Sequence, residues 1–171
     1  MDGAASRSPR PTFVVERQMS LEQSFELASR GYLWALIDAC DTRAVPEKLR
    51  AMGKDRVLSL LPEDYWAISP YLVKMDSALL EWLKQTVWES PWGIFAVSKD
   101  SMQDLYAHFC SQLNKTLPDN NRWYFRYYDP RVLEKYLYSH KREEISALFG
   151  PVLCYGVGMG REPGWKGFML K

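Results

Sequence analysis

A chain of 171 residues is long enough for one domain with a substantial core. Its apolar fraction of 47% and charged fraction of 25% are those of an ordinary globular protein, and a net charge of +1 gives no electrostatic reason to expect nucleic acid or an acidic surface as a partner. Aromatic residues make up 14%, and tryptophan and tyrosine serve cores and protein interfaces alike.

The three cysteines, Cys40, Cys110 and Cys154, fit no zinc spacing and sit in apolar runs, which suits reduced core thiols in the cytoplasm. The first residues, MDGAASRSPRPTF, lack the apolar stretch of a secretory signal. No apolar run approaches the ~20 residues of a membrane helix. The expectation is a soluble cytoplasmic protein with no membrane and no nucleic acid among its partners.

Residues 1–11 are rich in Gly, Ala, Ser, Pro and Arg, and 1–19 read as a flexible segment ahead of a single domain over 20–171. Ser20 with Gln23 has capping-box form. It predicts a short helix with Leu21, Phe25 and Ala28 inward, ending at Gly31. The run YLWALI, 32–37, is apolar without alternation, as in a strand covered on both faces. Asp38 and Asp41 follow at its carboxyl end, where open α/β sheets bind ligands. Without a glycine-rich turn, turn-forming and capping are the favoured roles for the two aspartates.

A helix is predicted over 45–52, with Pro46 in its first turn and Gly53 after it. Strands follow at 57–61, stopped by Pro62, and at 69–73, with Pro70 at its start. Asp76 caps a helix over 77–89 whose apolar face holds Leu79, Leu80, Trp82, Leu83, Thr86 and Val87. Trp88 falls on the opposite side. Either the helix ends early and Trp88 folds onto Trp92, or the indole is exposed for a partner. A strand over 93–97 is next. Asp100 with Gln103 suggests a cap for a helix to Leu113, with Met102, Leu105, Tyr106 and Phe109 on one face and His108 beside them.

After a polar turn at 114–121, residues 123–128 are aromatic at nearly every position and read as a strand running straight into a helix. Asp129 is the N-cap and Pro130 the first helical residue. Val132, Leu133, Tyr136 and Leu137 then recur at helical spacing. Arg126, set between large rings, needs a carboxylate or carbonyl partner. It either forms an ion pair that fixes the strand–helix corner or contacts an anion or partner. Arg131 lies just beyond the cap. Ser139 is placed as the cap of another helix through Phe149, which Gly150-Pro151 ends. A strand over 152–157, a glycine-rich loop and a terminal edge strand over 165–170 complete the chain. Strands alternating with helices predict an α/β fold: a single domain with a mixed, mostly parallel β-sheet flanked by helices.

The usual catalytic constellations are missing. The two histidines, His108 and His140, both fall on helices, and no GxSxG, HExxH or GxxxxGK[ST] occurs. Gly156-Val-Gly158-Met-Gly160 precedes no helix and so lacks the context of a dinucleotide site. No cofactor and no metal is expected. The enzyme alternative is a small metal-assisted hydrolase using the strand-end carboxylates Asp38 and Asp41. For a binding protein, Trp88, Trp92, Trp66 and Tyr65 lie in loops or on a polar helix face. They are candidate partner anchors, or else complete the core.

Several segments in series carry a resemblance: Leu33-Trp-Ala-Leu-Ile-Asp38, Ser69-Pro-Tyr-Leu-Val73 with Asp76, Pro91-Trp-Gly-Ile-Phe95, Tyr124-Phe-Arg-Tyr-Tyr-Asp-Pro-Arg-Val132 and Phe149-Gly-Pro-Val152. In order and spacing, over roughly 32–157, the chain resembles the family of domain of unknown function 4123, the adaptor chaperones of type VI secretion effectors. The resemblance implies a non-enzymatic cytosolic role: binding a secreted toxin effector, keeping it soluble and helping to load it onto the spike, often through the spike tip protein. It also marks Arg126, Asp129, Pro130 and Arg131 as motif residues that hold the fold. Many members have a longer C-terminal lobe than this sequence.

Overall fold

The structure, a computed structural model, describes residues 11–38 and 44–171. Its first half runs β1 (Val14–Met19), α1 (Leu21–Ser29), β2 (Leu33–Asp38), α2 (Ala44–Ala51), β3 (Val57–Ser59), a 3-10 turn (Glu63–Tyr65), β4 (Pro70–Lys74), α3 (Ser77–Thr86) and β5 (Gly93–Val97). The second half runs α4 (Met102–Gln112), β6 (Asn114–Thr116), β7 (Arg122–Tyr124), α5 (Pro130–Ser139), α6 (Arg142–Phe149), β8 (Cys154–Gly158) and β9 (Trp165–Leu170).

Strand β2 explains its own composition. Every residue from Leu33 to Ile37 is buried because the sheet is covered on both faces. Leu33, Ala35 and Ile37 pack in one cluster with Leu49 of α2 and Leu80 and Leu83 of α3. Trp34 and Leu36 point the other way, into a cluster with Phe109 of α4, Leu133 of α5 and Leu148 of α6. The period of two along the strand sorts the side chains between the two helical layers.

Among the described residues the sheet has seven strands, in the order β1-β9-β8-β5-β2-β4-β3. Every neighbouring pair is antiparallel, which corrects the expectation of a mixed, mostly parallel sheet. The helix-between-strands signal was real, but its connections skip a place. β2 and β3 both run antiparallel to β4, which lies between them. They are therefore parallel to each other, joined through α2. β4 and β5 are related in the same way around β2, through α3. A helical crossover thus joins parallel strands, and the place between them is filled by an antiparallel third. An all-apolar strand reports cover on two faces and says nothing of direction.

The segment expected to be flexible through residue 19 is sheet from Val14 onward: β1 pairs with β9 from Val14↔Leu170 to Met19↔Trp165. Glu16-Arg17-Gln18 disguise it, since an edge strand tolerates polar residues. β9 in turn is an inner strand between β1 and β8, not the edge. Several caps also shift. Ser101, not Asp100, caps α4, its Oγ accepting from the Asp104 N–H at 3.1 Å. Ser139 ends α5 instead of opening α6, where Lys141 precedes the first turn and its N–H donates to the Glu144 carboxylate at 3.0 Å. The caps at Ser20, Asp76 and Asp129 are as expected. Among the described residues, no helix is long and apolar enough to cross a membrane.

The aromatic run 123–128 is only partly a strand. β7 ends at Tyr124 and pairs with β6 in a two-stranded hairpin, Asn114↔Tyr124 to Thr116↔Arg122. Phe125 then turns inward, its N–H held by the Leu113 carbonyl at 2.7 Å, and Phe125, Tyr127 and Tyr128 are buried. The rings seek the core, and the backbone breaks from extended geometry to deliver them.

Candidate functional site: a groove between the hairpin and α5

Helix α5 starts at a tightly tied corner. Asp129, 5% exposed, accepts from the Arg131 N–H at 2.9 Å, and Pro130 fills the first helical position. The Arg131 guanidinium closes on the same carboxylate with two bonds, Nε to Oδ1 at 3.0 Å and Nη2 to Oδ2 at 2.7 Å. Burial pushes the Asp129 carboxyl up, but the hydrogen bonds and charge of Arg131 outweigh it and hold the group below the usual carboxylate range. Arg126 finds its partner at the end of β2, donating from Nη2 to Asp38 Oδ2 at 2.8 Å. Burial opposes its charge, and hydrogen bonding with Tyr128 and Asp38 more than restores it. The ion-pair reading of Arg126 is thus the one the geometry carries.

Between the hairpin and α5 lies an open groove of about 530 Å³. Trp123, Phe125, Val132 and Tyr136 give it apolar walls, and Asp129, Arg131, Lys135, Ser139 and His140 line it with polar groups. The rings form a chain: Trp123 to Phe125 at 5.1 Å, Phe125 to Tyr136 at 4.6 Å, and Tyr136 stacked on His140 at 3.7 Å. Lys115 Nζ sits 5.4 Å from the Phe125 ring and 5.9 Å from that of Tyr136. Trp123 remains 42% exposed at the mouth. An indole left this wet beside an apolar concavity is the kind of residue that anchors an interface.

The four expected anchors fare differently. Trp88 and Trp92 are core residues, 7% and 5% exposed. Helix α3 stops at Thr86, Val87 leaves helical geometry, and Trp88 turns back 6.3 Å from Trp92 and 6.1 Å from Phe95. Its Nε1–H donates to the Glu162 carbonyl at 2.9 Å, which satisfies the one polar atom burial would orphan. Their role as exposed anchors is withdrawn on that ground. Trp66 is half-buried beneath the Arg50 guanidinium, 4.7 Å above its ring. Tyr65 is 54% exposed in the same turn but does not line the groove.

Asp41 and Cys40 lie outside the described residues. Asp38 is engaged with Arg126, and among the described residues no three His, Cys, Asp or Glu side chains converge as a metal-ligand set. His108 is half-buried, with Nε2 2.8 Å from the Leu148 carbonyl, and burial lowers its pKa. Trp123, the residue the sequence reading passed over, carried a signal: Asp119-Asn120-Asn121 just before it is a hairpin-turn cluster, and Asn120 adopts φ +64°. A tryptophan leaving such a turn sits on a short ribbon with little to cover it.

Residues 33–147 match the profile of the family described as Domain of unknown function (DUF4123), and the chain belongs to that family. The match runs from β2 into α6 and takes in the hairpin, α5 and both partners of the Asp38–Arg126 pair. No curated protein and no solved structure was found to match.

Proposed function

We propose that this protein is a cytoplasmic adaptor chaperone for a type VI secretion effector: it binds the toxin, keeps it soluble and helps to load it onto the spike, with the spike tip protein as a possible second partner. Two lines support the reading. The family to which the chain belongs is the one its motif series resembles as an effector-adaptor family. The observation that carries it on this molecule is the hairpin–α5 groove, an apolar concavity with a polar rim and a half-exposed tryptophan at its mouth. An apolar concavity of this kind suits the docking of another protein.

The hydrolase alternative lacks a comparable support. The Asp38 carboxylate already accepts from the Arg126 guanidinium on Oδ2, and Asp41 lies outside the described residues. The adaptor reading is tested by isolating the tagged protein from its native host at moderate salt and identifying what stays bound. A secreted toxin or spike component is expected. Retention of neither overturns the reading.

A further inference from the structure

We infer that the hairpin–α5 groove takes an apolar side chain from an effector segment that also carries a carboxylate, and that Lys135 is the group that engages the acid. The inference rests on the adaptor reading above and deepens it. Trp123, Phe125, Val132 and Tyr136 define the apolar half, in a volume within the range that encloses a small ligand, and hence room for one or two large side chains.

The charges define the other half. Among the described residues, Asp129 is the one acid lining the groove, and its carboxylate is neutralised by two bonds from Arg131. Lys135 is exposed on α5 and has no side-chain ion pair among the described residues. The rim therefore carries uncompensated positive charge beside apolar walls. That combination selects an occupant with both an apolar anchor and an acid. It disfavours this chain's own residues 1–10, where Arg7 and Arg10 stand against a single Asp2.

Spacing makes the occupant more specific. Val132, Lys135 and Ser139 lie three and four residues apart, so they share one strip of α5. A side chain resting on Val132 and Tyr136 is about one helical turn from the Lys135 ammonium. The matching acid then falls three or four positions from the anchor in a helical segment, or two in an extended one.

The experiment uses the complete protein and the effector that the wild-type protein retains, identified by mass spectrometry. Trp123→Ala and Lys135→Glu are each expected to weaken effector binding about tenfold or more, as interface anchors do. Lys135→Arg is expected to stay within about twofold, since it keeps the charge. All three variants should melt with the wild type, because both side chains are exposed. A photo-crosslinker at Val132 should label an effector segment with Asp or Glu within four residues of an apolar side chain. Changing that acid to Lys should restore binding to Lys135→Glu. The inference is overturned if Trp123→Ala and Lys135→Glu bind like the wild type, or if the crosslink falls on a second copy or on residues 1–10. In those cases the adaptor reading stands, whereas a wild-type protein that retains no effector brings down both.

Discussion

Asp38 and Arg126, 88 positions apart in the chain, share a hydrogen bond of 2.8 Å that ties the end of the central strand β2 to the segment leading into α5. Asp38 is nearly buried and Arg126 close to half-exposed, so part of the attraction is lost to solvent. Arg126→Ala should therefore cost about 1 kcal/mol, most of it from leaving the carboxylate without its guanidinium. In a double-mutant cycle with Asp38→Asn, urea unfolding should show coupling of at least about 0.5 kcal/mol. Strict additivity would mean that the pair stabilises nothing.

Asp129 predicts an acid limb. Its folded-state pKa lies below the ordinary value of 3.8, so the unfolded chain takes up the proton first as pH falls. The contribution is complete above that ordinary value and is lost as pH drops through the lower, folded one. Asp129→Ala should cost about 1–2 kcal/mol at neutral pH, the worth of a good N-cap. The difference from wild type should shrink as pH falls below the ordinary value and through the lower, folded one. Unfolding midpoints measured across that range decide it; a gap that stays constant would remove the carboxylate from the account.

His108 predicts a second, milder limb. Burial lowers its pKa from 6.5 and outweighs the opposing hydrogen bond between Nε2 and the Leu148 carbonyl. Below about pH 6.5 the unfolded state therefore binds more protons, and stability falls with pH until the folded imidazole also charges. His108→Gln, which can still donate to Leu148, should flatten the wild-type decline between about pH 7.5 and 5.5. The same ring explains Gly150, where φ is +48° and an added Cβ meets the imidazole. Gly150→Ala should lose at least about 2 kcal/mol by chemical denaturation. A neutral substitution would show that the helix end can rearrange.

Trp88→Ala tests the burial of the indole. Its ring contacts and its bond to the Glu162 carbonyl make it a core truncation, with an expected cost of about 3–5 kcal/mol. A loss below about 1 kcal/mol in guanidinium unfolding would return Trp88 to the surface.

Local chemistry was readable where the signal was local. Ser20, Asp76 and Asp129 cap helices because a short acceptor before an apolar period has few other uses. β2, β4 and β5 were visible as apolar runs. Arg126 had to find a carboxylate, yet nothing in the linear order chose Asp38 from the other acids, because that choice is made by the sheet. Strand direction failed for the same reason: α2 and α3 each bridge a gap that only long-range pairing fills. For the site, the sequence pointed to the correct stretch, 123–131, but placed the anchors elsewhere. Aromatic residues in loops were taken to be exposed, while Trp88 and Trp92 cover Phe95 and Trp123 stands on a ribbon with no neighbouring sheet.

The pairing of β1 with β9 fixes when the protein can finish folding. Val14 is matched to Leu170, so among the described residues the first strand has its sheet partner in the last, more than a hundred residues on. At ~5–20 residues per second, roughly 8–30 s of synthesis pass with that strand unmatched. The sheet therefore cannot close on β1 until residues 165–170 have been made, and a chain cut short before them leaves β1 without the strand it pairs with.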